Sequence, residues 1–135
     1  MAKLHKASGQ GLVELVLILP LLMLLVVGAL DLGLAFYTKV QLENAAREGA
    51  YYMVYHSAEA SAASHAVTAV QNEAASSGIA ITTSEVVVQC LPGPACTSGG
   101  STSVLVTVSH QMALPVDVFG RGPLQLTNEA RMRIP

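Results

Sequence analysis

The apolar run from Leu12 to Leu30 limits what this chain can fold into more than any other feature. It carries one charge, Glu14, among leucine, valine, isoleucine, methionine and a few small residues. A helix over it covers about 28 Å, close to the roughly 30 Å hydrocarbon thickness of a bilayer. No register of the run leaves a polar stripe, so a helix half-buried in a soluble core does not account for it. A secretory signal peptide is the competing reading. Lys3, His5 and Lys6 make a positive leader, and Val27-Gly28-Ala29 offers small residues for cleavage before Leu30. The run exceeds the ~7–15 apolar residues usual in such a signal, and the helical pattern continues past Asp31. A retained membrane helix is therefore the expectation. Lysines precede the run and none follows it immediately, which places the N-terminus in the cytoplasm and the C-terminal part outside.

Composition points the same way. With 52% hydrophobic residues, 12% charged residues and no Trp, the chain reads as a membrane-tethered protein rather than a free enzyme. A net charge of −2 leaves no nucleic-acid footprint. The sequence holds no G-x-S-x-G, no H-E-x-x-H and no phosphate-cradling glycine loop. No enzyme activity, cofactor or small-molecule substrate is expected. His56, Glu59 and His65 lack any spacing that holds a metal, and read as solvated surface groups.

Glu14 carries the functional signal. A charge at the centre of an apolar segment costs roughly 2.5–3.5 kcal/mol on insertion scales, and less near an end. The plain reading is that Glu14 lies close enough to the helix start to reach the headgroups. The functional one is that it meets a positive charge created by processing or assembly. Gly9, followed by Gln10 and the apolar run, with Glu14 five residues after Gly9, resembles the cleavage site of type IV pilin-like precursors. That resemblance implies a prepilin peptidase cutting after Gly9 on the cytoplasmic side, and a carboxylate that meets the new amine of a neighbouring subunit at Gln10. Loss of the leader, with Lys3 and Lys6, makes the mature chain more acidic.

The segments GQGLVELVLILPLL and GALDLGLAFYTKVQLENAAREGAYY together resemble the N-terminal signature of TadE-like proteins, the pseudopilins of tight-adherence (Flp) pilus assembly. The resemblance covers Ser8 to about Tyr52 and rests on Glu14, Pro20, Asp31, Gly33, Asn44, Ala45, Ala46, Arg47, Glu48 and Gly49. Ala35 departs from it, standing where a polar residue is common. The resemblance implies a minor pseudopilin in a bacterial inner membrane, single-pass, possessing an outward domain and meeting a prepilin peptidase, other pilins and pilus assembly proteins. A filament-forming pilin is the alternative on the same architecture. A secreted binding domain released after Ala29 is the alternative of another class.

The expected organisation is a leader over 1–9, a transmembrane helix over 10–33 and an extracytoplasmic domain over 34–135. Pro20 removes a backbone hydrogen bond in mid-helix, so a kink is expected near Val16 to Leu19. The helix is expected to run through Tyr55, with Leu42, Ala46, Gly49 and Met53 on one face and an i, i+4 ladder of Lys39, Glu43 and Arg47 on another. For NAAREGA, packing on the chain's own domain and contact with a neighbouring subunit remain equal alternatives. Tyr51, Tyr52 and Tyr55 lie about 30 Å beyond the membrane edge and are expected to cover the core. Ser57 is expected to cap a second helix with Glu59 in its first turn, an apolar stripe of Ala63, Ala66, Val67, Val70 and Ala74, and Gly78 as its C-terminal cap.

From Ile79 the period changes to two. Strands are expected over Thr82–Cys90, Thr102–Met112 and Leu124–Ile134. Val104, Val106 and Val108 share one face of the second strand, and Leu126, Ala130, Met132 and Ile134 one face of the third. The fold class is α+β: a long N-terminal helix continuing into a small domain with a second helix and a three-stranded antiparallel sheet. Cys90 and Cys96, bracketing a turn-rich loop, suggest a disulfide in an oxidising compartment. A redox pair or half a zinc site lacks the C-x-x-C spacing and further ligands. Between the last two strands, ALPVDVFGRGP presents Val118, Phe119 and Arg121 as a candidate partner loop.

Overall fold

A computed structural model describes residues 8–93, 103–116 and 122–135. The elements are helix α1 (Ser8–His56), helix α2 (Ala62–Ser76), strand β1 (Val86–Leu91), strand β2 (Ser103–Met112) and strand β3 (Leu124–Arg133), with a short 3₁₀ turn, Thr83–Glu85, before β1. The α+β architecture is the one the sequence implies.

Helix α1 has 49 residues and continues through Pro20. It extends about 73 Å. Its large apolar residues from Leu12 to Leu34 are exposed, apart from the half-buried Val27. Burial begins at Thr38 and then follows one face through Leu42, Ala45, Ala46, Gly49, Ala50 and Met53. The helix ends as expected near His56, whose Nδ1 lies 3.0 Å from the Tyr52 carbonyl oxygen.

The second helix begins later than the Ser57 cap predicted. Glu59 N–H donates to the His56 carbonyl and Ala62 N–H to that of Glu59, so 57–61 forms successive turns instead of a first helical turn. Ser61 takes the N-cap position. The shift changes the buried stripe: Ala62, Ala66, Val70 and Ala74 face inward, Val67 is half-buried and Ala63 is exposed. Gly78 stops the helix as expected. It adopts φ 78°, Ile79 N–H reaches back to the Ala74 carbonyl and Gly78 N–H to that of Ala75, which is the Schellman arrangement that favours glycine.

The first strand also begins later than predicted, at Val86. Glu85 turns the chain before it: its carboxylate accepts from Thr82 N–H at 2.7 Å and from the Thr82 hydroxyl at 2.8 Å. Burial works to raise the Glu85 carboxyl, but those two bonds and that with His110 Nδ1, at 2.9 Å, hold it below the usual carboxylate range.

The sheet order is β1-β2-β3, antiparallel throughout. The register lines up Val88, Val106 and Ala130, and Val86, Val108 and Asn128, on one face. Period-two alternation thus places one apolar surface under both helices. The opposite face carries Gln89, Leu105 and Arg131 in one cross-strand row and Val87, Thr107 and Glu129 in the next. On that face Arg131 Nε donates to Ser103 Oγ at 3.0 Å. Asn128 is a polar residue on the face turned toward the helices. It is 8% exposed, and its side-chain amide donates to the Lys39 carbonyl of α1 at 2.9 Å, which offsets the cost of burying it.

β2 runs antiparallel to α1. Thr38 Oγ1 lies 3.2 Å from Met112 Sδ at the end of the strand, while Val106, earlier in the strand, sits against Gly49, later in the helix. The β2–β3 end of the sheet therefore lies nearest the apolar half of α1.

Candidate functional site

The residues singled out by sequence divide into those that α1 leaves uncovered and those that it spends on the domain. Gly9 lies exposed in the first turn of α1, and a Cβ at that position would meet nothing within 4 Å. Glu14 follows in the next turn, exposed among Leu12, Val13, Leu15 and Val16. It has no hydrogen bond or ion pair among the described residues. Pro20 is likewise exposed. Asp31 is half-buried and closes the most apolar part of the helix. No other part of the described chain covers the segment from Leu12 to Val26.

The helix is long and apolar enough to cross a membrane, and its most apolar stretch is unburied. Gly28 and Gly33 also face open space. Gly49 is the opposite case. A Cβ there would come 2.5 Å from Val70 Cγ2, 3.3 Å from the Ala66 carbonyl oxygen and 3.5 Å from Val106 Cγ1. The missing side chain is what lets α1, α2 and β2 approach each other.

NAAREGA is split by helical geometry. Ala45, Ala46, Gly49 and Ala50 are buried in the core, whereas Asn44, Arg47 and Glu48 are exposed. Arg47 Nη2 pairs with Glu43 Oε1 at 2.5 Å, closing one rung of the expected ladder. An exposed pair of this kind contributes about 0.3–0.5 kcal/mol. The small residues therefore serve internal packing, and the polar ones form an outward face. The two readings of the motif concern different sides of one helix.

The tyrosines do not act together as expected. Tyr52 packs beside the core, stacks on His56 with ring centroids 4.2 Å apart, and places its hydroxyl 3.2 Å from His65 Nδ1. Tyr51 and Tyr55 point away from the core and pair with each other at 4.6 Å. One helical turn separates them, and only one tyrosine of the three shares the inward face. The hydrogen bond to Tyr55, with Glu48 nearby, raises the pKa of the Tyr51 phenol. Tyr51 and Tyr55 continue the outward line of Val40, Asn44 and Glu48 along α1.

A groove of about 670 Å³ lies between Met53, Ala62, Val88, Cys90 and Pro92, with Glu59 as its one acidic residue. Among the described residues no group of three His, Cys, Asp or Glu side chains is placed to hold a metal. Cys90 is half-buried at the end of β1; Cys96 lies outside the described residues, as do Val118, Phe119 and Arg121. Sequence reasoning missed Asn128 and Thr38, which fasten the sheet to the helix. The break in the apolar alternation of β3 at Asn128 was the available signal.

A family model described as TadE-like protein matches residues 9–50. The match begins at the proposed processing site and ends on the inward face of α1 at Ala50. No curated protein and no solved structure matches the chain.

Proposed function

We propose, for a chain that is TadE-like over residues 9–50, the role of a minor pseudopilin that takes part in building a tight-adherence pilus. The carrying observation is where the family match falls. It covers α1 alone, and most of that stretch is left uncovered by the rest of the described chain. A feature that the family shares in an uncovered helix acts on what surrounds it: a bilayer and other helices.

In this reading residues 1–9 are a prepilin-type leader, 10–33 a membrane-spanning helix and 34–135 an extracytoplasmic domain. The N-terminus faces the cytoplasm of a bacterial cell, and the anchor lies in its inner membrane. A prepilin peptidase cuts between Gly9 and Gln10. Glu14, held in an apolar surrounding where an unpaired charge is costly, then receives the amine of a neighbouring subunit's Gln10. The outward face of Asn44, Arg47, Glu48 and Tyr51 meets other pilins or assembly proteins, with the loop of Val118, Phe119 and Arg121 as a second contact. A Cys90–Cys96 bridge closes the loop after β1; an intact mass unchanged by reduction would rule it out.

The alternative of a filament-forming pilin differs in abundance, and purified pili containing this chain as their main component would favour it. Deletion of the gene in the native host tests the role itself. Loss of surface pili, restored by the full chain supplied in trans, is expected; normal piliation without the chain contradicts the role.

A further inference from the structure

The exposed large apolar residues of α1 run from Leu12 to Val40, about 42 Å of helix. That exceeds the roughly 30 Å of hydrocarbon in a bilayer and matches the ~40–45 Å obtained when both headgroup layers are included. The domain, however, is already attached at this height. Thr38 contacts Met112 at the end of β2, and Asn128 of β3 bonds to the Lys39 carbonyl. The end of the sheet is therefore fastened at the level where the apolar surface of the helix runs out.

The same end of the sheet is itself apolar. Leu124 opposes Met112 in the register and is 40% exposed, and Val116, four residues beyond Met112, is 46% exposed. Four residues reach at most about 14 Å, and Thr38 stands only about 10 Å along the helix from Asp31. Val116 is thus within reach of the plane where the membrane run closes. On the helix, Phe36 is 71% exposed and one turn from Val40, the position of an interfacial aromatic anchor. Lys39 beside them is exposed and long enough to bring its ammonium to lipid phosphates.

We propose that this end of the domain, Val116 and Leu124 together with Phe36 and Val40 of α1, rests in the headgroup layer of the leaflet facing the domain, making a second membrane contact besides the spanning helix. The occupant is lipid. Leu34, one turn before Thr38 on the face of α1 that carries the domain, is 46% exposed, so the apolar surface of the helix runs up to the patch. The attachment at Thr38 and Lys39 holds the end of the sheet only about 10 Å along the helix from the close of the membrane run. The contact fixes the domain's height and tilt, so the outward face of α1 is presented in one orientation. This inference rests on the reading of α1 as a membrane span.

The chain lacks Trp, so single tryptophans report on single positions. The full chain, reconstituted in vesicles of phosphatidylcholine and phosphatidylglycerol, is made in four versions: Val116→Trp, Leu124→Trp, Leu17→Trp in the span and Tyr55→Trp at the far end of α1. Val116→Trp and Leu124→Trp are expected to emit at blue-shifted wavelengths and to lose most of their emission to lipids brominated about 5–10 Å below the surface. Tyr55→Trp is expected to stay red-shifted and unquenched. If Leu17→Trp is quenched while Val116→Trp and Leu124→Trp emit as in water, the second contact is overturned and the anchor stands. If both emit blue but resist brominated lipid, a second copy of the chain covers the patch and the inference is equally overturned. Failure of Leu17→Trp to be quenched overturns the membrane span and this inference with it.

Discussion

Gly49→Leu will unfold the C-terminal domain while leaving the apolar half of α1 able to enter a membrane. Even a single added carbon at Gly49 would stand 2.5 Å from Val70 Cγ2 and 3.3 Å from the Ala66 carbonyl oxygen. Val70 is β-branched and buried in α2, so its methyl group has little rotamer freedom with which to withdraw. Overpacking of this kind costs about 1–3 kcal/mol and occasionally more. Ala in place of Gly returns at most about 1 kcal/mol of helix propensity. With the 2.5 Å approach to a methyl group that cannot withdraw, the overpacking cost falls in the upper part of its range, about 2–3 kcal/mol. Gly49→Ala therefore loses about 1–2 kcal/mol net, and a melting temperature lower by roughly 5–15 °C is expected for a domain of this size. Leucine adds three further carbons at a site bounded by two helices and a strand, and the loss takes up much of the ~5–15 kcal/mol that holds a small domain together. Gly28→Ala and Gly33→Ala, where a Cβ meets nothing, are the controls. Thermal unfolding of the detergent-solubilised full chain measures the series, and a Gly49→Ala protein as stable as the parent would contradict the packing account.

The second large effect is expected at Glu14, in two opposite directions. Glu14→Leu removes a charge from an apolar helix and should leave membrane insertion equal or improved, by up to about 3 kcal/mol. Assembly should nevertheless fail. A charge-assisted hydrogen bond contributes about 1.5–3 kcal/mol, and at ~1.4 kcal/mol per tenfold its loss corresponds to a roughly 10- to 100-fold drop in incorporation beside neighbouring pilins. Glu14→Gln keeps the shape and loses the charge, so it should fall with the leucine variant. Membrane fractionation and pilus counts separate the two effects. Wild-type piliation with Glu14→Leu would return the residue to its plain reading, a carboxylate near enough to the headgroups to need no partner.

The architecture was legible because each element has a strong period. The span from Leu12 to Leu30 has no polar stripe, β2 alternates Val104, Val106 and Val108 with Leu105, Thr107 and Ser109, and Gly78 sits where a left-handed cap is needed. Val104, Val106 and Val108 are fully buried, as their spacing implies. Element starts were less legible, since local hydrogen bonds decide them. Ser57 has the chemistry of a cap, but the turns joining His56, Glu59 and Ala62 postpone α2, and the Thr82–Glu85 bonds postpone β1.

Sequence could also not divide NAAREGA between its two tasks. Helical spacing separates Ala45, Ala46 and Gly49 from Asn44, Arg47 and Glu48, but only the packing of α2 and the sheet tells which side is inward. For the same reason Tyr51 and Tyr55 were assigned to the core and turn out to face away from it. Asn128 fell on an apolar face and was passed over, although a lone polar residue in that position needs a partner, here a carbonyl on a helix distant in sequence.

The central claim is that this chain is processed as a pilin-like precursor and keeps its apolar helix. The N-terminus of the protein isolated from its native host, read by intact mass and terminal sequencing with and without the prepilin peptidase, tests it most directly. The account predicts a chain that begins at Gln10 when the peptidase is present and retains its leader when it is absent; a chain that begins at Leu30 in both would contradict it, making the apolar run a discarded signal and the C-terminal part a secreted domain.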